Sequence, residues 1–155
     1  DILGAWPDVR VNLDPKHDES VGPLIEVLDR CQAHDRVCVA AFSDRRLARF
    51  RTLTDGRVCT ALGPRDIARL RARSYRVPVG RFAAACTQVP VRRGRWLVTD
   101  PRYVRAAHEV GLPVHVWTID DPTEMERLLD MGVDGIMSDR PAVLKRVLTA
   151  RGLWT

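Results

Sequence analysis

Apolar positions fall in short runs that alternate with longer stretches of helical spacing. Val9–Asp14 (VRVNLD) reads as a strand. Ser20–His34 follows as a helix, with Ser20 as its N-cap and Leu24, Val27, Leu28 and Cys31 on one face. Arg36–Phe42 (RVCVAAF) is a second strand, and Asp44 then caps a helix carrying Leu47, Phe50 and Leu53. Val58–Leu62 is a third strand, and Gly63-Pro64 opens a helix with Ile67 and Leu70 inward. Ala83–Val89 (AAACTQV) is the fourth strand. Asp100-Pro101 and Asp121-Pro122 each start a helix, the carboxylate capping N–H groups and the proline losing nothing at the first helical position. The first runs to Gly111; the second carries Met125, Leu128 and Leu129 on one face and stops at Gly132. Between them Val114–Ile119 (VHVWTI) is the fifth strand. Gly135–Asp139 is the sixth, and a last helix runs from Pro141 to about Ala150.

Six strands alternating with six helices predict a parallel sheet covered by helices. The strand runs are too apolar for one-sided antiparallel strands. No G-x-G-x-x-G or Walker loop follows any strand, which argues against a dinucleotide-binding fold or a P-loop enzyme. A doubly wound sheet and a (β/α)8 barrel remain. In a barrel, polar residues at the carboxyl ends of strands carry the chemistry. Those ends supply Asp14 and Lys16, Phe42 and Ser43, Gln88, Trp117 with Asp120, and Ser138 with Asp139. A carboxylate two residues from an ammonium suits a hard cation beside a phosphate, although Asp-x-Lys alone is common on surfaces.

Composition adds limits. The 155 residues are 45% hydrophobic and 29% charged, the profile of one globular domain. The longest apolar stretches, such as Val37–Phe42, are too short to span a bilayer. The net charge of +5 is uneven: residues 1–44 carry −5 and residues 45–81 carry +9. The arginines of the middle block lie on two helical patterns without interleaved aromatics, so a solvated helix face is preferred to a nucleic-acid site. Cys31, Cys38, Cys59 and Cys86 form no C-x-x-C pair. They read as buried free thiols rather than a zinc site, which points to a reducing compartment. A cytoplasmic location is the expectation, with secretion left open because the sequence starts at Asp1.

Val114–Pro141, VHVWTIDDPTEMERLLDMGVDGIMSDRP, resembles the C-terminal signature of the glycerophosphodiester phosphodiesterase family, roughly V-x-V-W-T-V-N, a helix, then G-V-D-G-I-x-T-D-x-P. Asn12–Lys16 (NLDPK) resembles that family's acidic-x-Lys strand end. Val39–Ser43 (VAAFS) resembles its S-F strand, with Ala41 in place of Ser, and Thr87–Pro90 (TQVP) its L-Q-V-P strand. The resemblance implies a (β/α)8 TIM barrel of which this chain holds strands three to eight as a single partial domain, residues 1–155. The family's His-Arg-Gly and Glu-x-Asp motifs are absent from this sequence, and with them the His-Asp that follows the second. Such a barrel takes ~250 residues, so an N-terminal portion is expected to be missing, and the 155 residues alone are expected to be inactive.

The resemblance further implies cleavage of glycerophosphodiesters to an alcohol and glycerol 3-phosphate. A divalent cation, Mg2+ or Ca2+, assists, and a histidine pair serves as acid and base. Asp14 matches a metal carboxylate, Lys16 the phosphate-facing lysine, Trp117 an aromatic wall, and Phe42 and Gln88 pocket-lining positions. Asp120 stands where Asn is usual. The implied partner is a small-molecule glycerophosphodiester, with no nucleic acid and no transmembrane segment; no oligomeric state is implied. Each residue also has a plainer role. Asp14 can cap the turn before Pro15, Lys16 can be a surface charge, Trp117 can be core, and Gln88 can serve backbone groups. Asp139 reads as a helix cap. His17 reads as a loop residue, His34 and His108 as late-helix residues, and His115 as a packed histidine. The rival readings are a non-catalytic relative that kept the barrel, an Arg-rich nucleic-acid binder, and a phospholipase-type barrel phosphodiesterase.

Overall fold

The computed structural model describes residues 2–154. The chain divides into two compact units, Asp1–Ile67 with Phe82–Ala85, and Ala68–Arg81 with Cys86–Thr155. No helix among the described residues is long and apolar enough to cross a membrane.

In the first unit, β1 (Val11–Leu13), β2 (Val37–Val39) and β3 (Cys59–Thr60) form a parallel sheet in that order. Val11 pairs with Val37, and Cys38 pairs with Cys59. The helices are α1 (Ile2–Ala5), α2 (Val21–Arg30), α3 (Asp44–Leu53) and the start of α4 (Pro64–Arg73), which continues into the second unit. Val37 and Val39 of β2 are buried in one core with Val21, Leu28, Leu47 and Phe50 of the helices. A sheet that alternates with helices buries apolar side chains on its helix-covered face, so these positions need no polar partner. The short α1 is tied down by Arg36, whose guanidinium donates to the carbonyls of Leu3, Trp6 and Val9 at 2.7, 3.2 and 3.1 Å.

In the second unit, β4 (Thr87–Pro90), β7 (Val114–Trp117) and β8 (Gly135–Ile136) are parallel, with β7 central. The helices α5 (Pro101–His108), α6 (Pro122–Asp130) and α7 (Pro141–Ala150) follow these strands along the chain. Val89, Val114 and Val116 are fully buried, as are Met125 and Leu128 of α6. Asp100 and Asp121 cap α5 and α6 as their Asp-Pro pairs predict, accepting from the backbone N–H of Tyr103 at 2.9 Å and of Glu124 at 2.8 Å. Gly132 ends α6 region with φ of +92°, a conformation open to glycine. Burial pushes the Tyr103 phenol up to about 12, while its hydroxyl lies 2.7 Å from the Thr87 hydroxyl.

The six predicted strands and six predicted helices are present, but several details differ. The strands are two to four residues long, because only part of each apolar run reaches its neighbour's ladder, and β4 ends at Pro90, one residue past its predicted end. Ser20 precedes α2 without capping it; its hydroxyl donates back to the His17 carbonyl at 2.6 Å, closing a 3-10 turn over Asp18–Ser20. Ser43, not Asp44, caps α3, accepting from the Arg46 N–H at 3.2 Å. Asp44 instead accepts from the Arg65 N–H at the start of α4, with both carboxylate oxygens at 3.2 Å. Asp139 does not cap α7, whose N-cap position is Arg140. Cys86 is buried but Cys31, Cys38 and Cys59 are only half-buried. A hairpin of β5 (Arg92–Arg93) and β6 (Trp96–Leu97) went unpredicted, its two-residue strands being too short for a period. The Arg-rich block is less solvated than its pattern implies, since several of its arginines bond within the protein. Arg51 donates to the Thr60 hydroxyl at 2.8 Å and the Ala61 carbonyl at 3.2 Å. Arg71 grips Asp100 bidentately at 2.8 and 2.7 Å.

Gly135 of the G-V-D-G-I run has a packing reason. A Cβ there would lie 2.8 Å from Cδ2 of the His115 ring. Gly135→Ala is therefore expected to destabilise the protein by about 1–3 kcal/mol through overpacking. His115→Ala in the same background is expected to return part of the loss. Chemical-denaturation midpoints of the two variants check this.

Candidate active site

The first unit gathers three of the predicted residues. Asp14 and Lys16 lie just beyond the carboxyl end of β1, and Phe42 lies beyond that of β2. The Lys16 ammonium donates to Oδ2 of Asp14, and its Nζ stands 5.8 Å from the centroid of the Phe42 ring. Lys16 is 66% exposed at its side chain and Phe42 63% exposed, so both face solvent while sharing one spot. Asp14 is different. Its Oδ1 is buried and has no hydrogen-bond partner. An unsatisfied carboxylate oxygen is costly, and oxygen donors of this kind are what a hard divalent cation selects. The turn-cap reading of Asp14 is not supported, because neither oxygen accepts a backbone N–H of the turn among the described residues.

The loop carrying this pair is fixed from α3. Arg46 donates to the Pro15 carbonyl at 2.9 Å and through Nε to Oδ1 of Asp18 at 2.9 Å. Arg45 bonds the other Asp18 oxygen, and Arg49 donates to the Asp18 carbonyl at 3.0 Å. Hydrogen bonds from Arg45 and Arg46 hold the Asp18 carboxyl below its ordinary value of 3.8. Neither Asp18 nor Arg46 was singled out as a site residue. An Arg-rich helix start was visible, but no local spacing connects it with a loop some 28 residues earlier.

The second unit holds Gln88 and Trp117 on neighbouring strands. Gln88 stands opposite His115 and Pro90 opposite Trp117 in the parallel register. The period-2 alternation thus puts Gln88, His115 and Trp117 on one sheet face and Val89, Val114 and Val116 on the other. Gln88 is buried, with its Nε2 3.8 Å from Sγ of Cys86. Trp117 is half-buried at the strand end. Asp120 stitches two strand ends together: its Oδ1 accepts from the Ser138 hydroxyl at 2.8 Å and from the Asp139 N–H at 2.9 Å. The aspartate at this position therefore does what an asparagine oxygen could also do.

The histidines are otherwise engaged or exposed. Nε2 of His34 is 2.8 Å from Asp29, and Nε2 of His108 is 2.7 Å from Asp134. His108 is thus a carboxylate partner rather than a bare late-helix residue. His115 packs over Gly135, and His17 is exposed at the 3-10 turn.

Comparison with known proteins is decisive at this point. Residues 5–143 match the profile of the glycerophosphoryl diester phosphodiesterase family. The chain belongs to that family. It is 43% identical over 163 residues to a protein of Mycobacterium tuberculosis named probable glycerophosphodiester phosphodiesterase 2. That match covers 99% of this chain and 60% of the relative, so the chain spans about three fifths of the relative's length. Among solved structures, a glycerophosphoryl diester phosphodiesterase of Silicibacter pomeroyi superposes with a TM-score of 0.78 at 24% identity, covering 99% of this chain and 56% of that one. A phosphodiesterase of Oleispira antarctica, solved with the product sn-glycerol-3-phosphate, gives 0.69 at 18% identity, covering 90% and 55%. These likenesses assign a TIM-barrel-like α/β fold to this family member.

The Asp18 clamp gives a pH-dependent prediction. A carboxyl whose folded value is depressed adds stability above its unfolded value, and that stability fades as pH falls through the folded value. Asp18→Asn is expected to lower the melting temperature at pH 7. The gap between variant and parent is expected to close as pH drops below 3.8. Thermal melts across that range check it.

Proposed function

We propose that this chain is the phosphate and glycerol side of a metal-dependent glycerophosphodiester phosphodiesterase, hydrolysing glycerophosphodiesters to an alcohol and glycerol 3-phosphate. In this reading β1, β2, β3, β4, β7 and β8 are the third to eighth strands of the barrel. The observation that carries it is the Asp14–Lys16 pair, with one carboxylate oxygen buried and unsatisfied and an exposed ammonium beside it. Family membership, and the product found in the Oleispira antarctica relative, support the substrate class.

Asp14 is the residue that would hold the cation, Mg2+ or Ca2+, through Oδ1. Bound there, the cation supplies neutralisation of charge on the phosphate oxygens. Lys16 works beside it. Its ammonium is a point charge free to turn toward non-bridging oxygens, and the charge it offsets grows as the phosphorus is attacked. In the first unit Phe42 offers an apolar wall; in the second, Trp117 offers one and Gln88 a hydrogen-bonding amide. Arg45, Arg46 and Arg49 act through the loop: they hold the backbone that carries Asp14 and Lys16 and touch no substrate. The proton transfers are not assigned to this chain's histidines, since His34 and His108 bond carboxylates and His115 is packed. The acid–base pair and two further metal carboxylates are taken from residues outside this sequence.

The test is hydrolysis of glycerophosphocholine by the polypeptide as the cell makes it, with Mg2+ or Ca2+ supplied. Lys16→Met is expected to lower kcat about 100- to 1,000-fold, the usual loss of one charge-stabilising donor. Asp14→Asn is expected to raise the cation concentration needed for half-maximal rate. The 155-residue chain alone is expected to show no hydrolysis above a Lys16→Ala control. A wild-type polypeptide that binds the diester but never cleaves it would replace this reading with a non-catalytic one.

A further inference from the structure

The segment between β4 and α5 carries chemistry that the phosphodiesterase reading does not use. Arg92-Arg93-Gly94-Arg95-Trp96-Leu97 are six consecutive exposed residues. They fold as the β5–β6 hairpin, with Arg92 opposite Leu97 and Arg93 opposite Trp96. Gly94 makes its tight turn at φ of +59°. Trp96 is 70% exposed, an unusual state for so large an apolar side chain in water. The Arg95 guanidinium sits 5.7 Å from the Trp96 ring centroid. No acidic residue occurs from Val91 to Thr99.

The positive charge is not cancelled nearby. Behind the hairpin is a cavity of about 330 Å3 that Arg92 and Leu97 line together with Asp100, Glu124 and Arg127. Both of its carboxylates are engaged elsewhere, Asp100 by Arg71 and Glu124 by Arg127, each bidentately. Among the described residues no ion pair involves Arg92, Arg93 or Arg95.

Three uncompensated guanidinium groups around an exposed indole and leucine form a small amphipathic tip. Tryptophan settles at the boundary between lipid headgroups and acyl chains, and arginine pairs with anionic headgroups while its stem lies along apolar surface. A single aromatic on a narrow hairpin offers no row of stacking platforms for nucleic-acid bases. We propose that the β5–β6 hairpin docks on an anionic lipid surface, with Trp96 and Leu97 entering the headgroup layer and Arg92, Arg93 and Arg95 meeting lipid phosphates. The hairpin starts two residues after Pro90, whose register partner is Trp117. Docking therefore turns the carboxyl ends of β4 and β7 toward the lipid.

The experiment is co-sedimentation of the chain with vesicles of phosphatidylcholine alone and of phosphatidylcholine mixed with phosphatidylserine, at low and high salt. Binding is expected to the mixed vesicles only and to fall with salt. At about fivefold for each arginine, replacing Arg92, Arg93 and Arg95 together by Gln is expected to weaken it about 100-fold. The triple Arg→Lys variant is expected to keep most of the binding, which separates charge from folding. Trp96→Ser is expected to weaken binding about tenfold and to remove the part of tryptophan quenching by brominated lipid that the parent shows. Equal binding to both vesicle types, no binding to either, or full binding by the Gln triple or by Trp96→Ser would overturn the proposal. So would tighter binding to a single-stranded oligonucleotide than to the mixed vesicles.

Discussion

Parallel strands only two to four residues long cannot fix their own ends by ladder hydrogen bonds, and the residues proposed for the site sit at those ends. Polar side chains perform the fixing. Arg46 holds the Pro15 carbonyl beyond β1. Asp44 beyond β2 holds the Arg65 N–H at the start of α4. Asp120 beyond β7 holds the Ser138 hydroxyl and the Asp139 N–H beyond β8. Each bond joins one strand end to the next element along the sheet. Loss of the Arg46 or Ser138 bond would leave a part-buried partner unsatisfied, whereas the Asp44–Arg65 and Asp120–Asp139 bonds are exposed and cost less to break.

This constraint separates the residues proposed to meet substrate from those that hold the loops carrying them. Lys16 and Phe42 are exposed, and Asp14 keeps one buried oxygen without a hydrogen-bond partner. Asp18, Asp44 and Asp120 are the same residue type, yet the protein holds both oxygens of Asp18 and of Asp44 and Oδ1 of Asp120. Bonding state, rather than residue type, is what marks Asp14 as the carboxylate proposed for the cation. Two glycines follow the same logic: Gly63 leaves room for the Asp44 carboxylate, and Gly135 of the G-V-D-G-I run leaves room for the His115 ring.

Most of the element order was legible because it rests on local signals. The two Asp-Pro helix starts were read correctly, since both cap and first turn lie within four residues. The cap readings of Ser20 and Asp44 fail because their side chains find other partners, the His17 carbonyl and the Arg65 N–H; that of Asp139 fails because the N-cap position of α7 is Arg140. Nothing in the spacing of Arg45, Arg46 and Arg49 announces that they meet Asp18, a contact made only when α3 packs beside β1. The candidate site was legible chiefly through the family signature. Asp14-Pro15-Lys16 alone is an ordinary dipolar turn, and only the buried, unsatisfied Oδ1 distinguishes it.

The central claim is that Asp14 and Lys16 together hold a cation and a glycerol phosphate. The most direct measurement is calorimetric titration of sn-glycerol 3-phosphate into the protein with and without Mg2+ or Ca2+. The account predicts binding that requires the cation and is lost in both Asp14→Asn and Lys16→Met. Binding that ignores the cation, or that survives both substitutions, would contradict it.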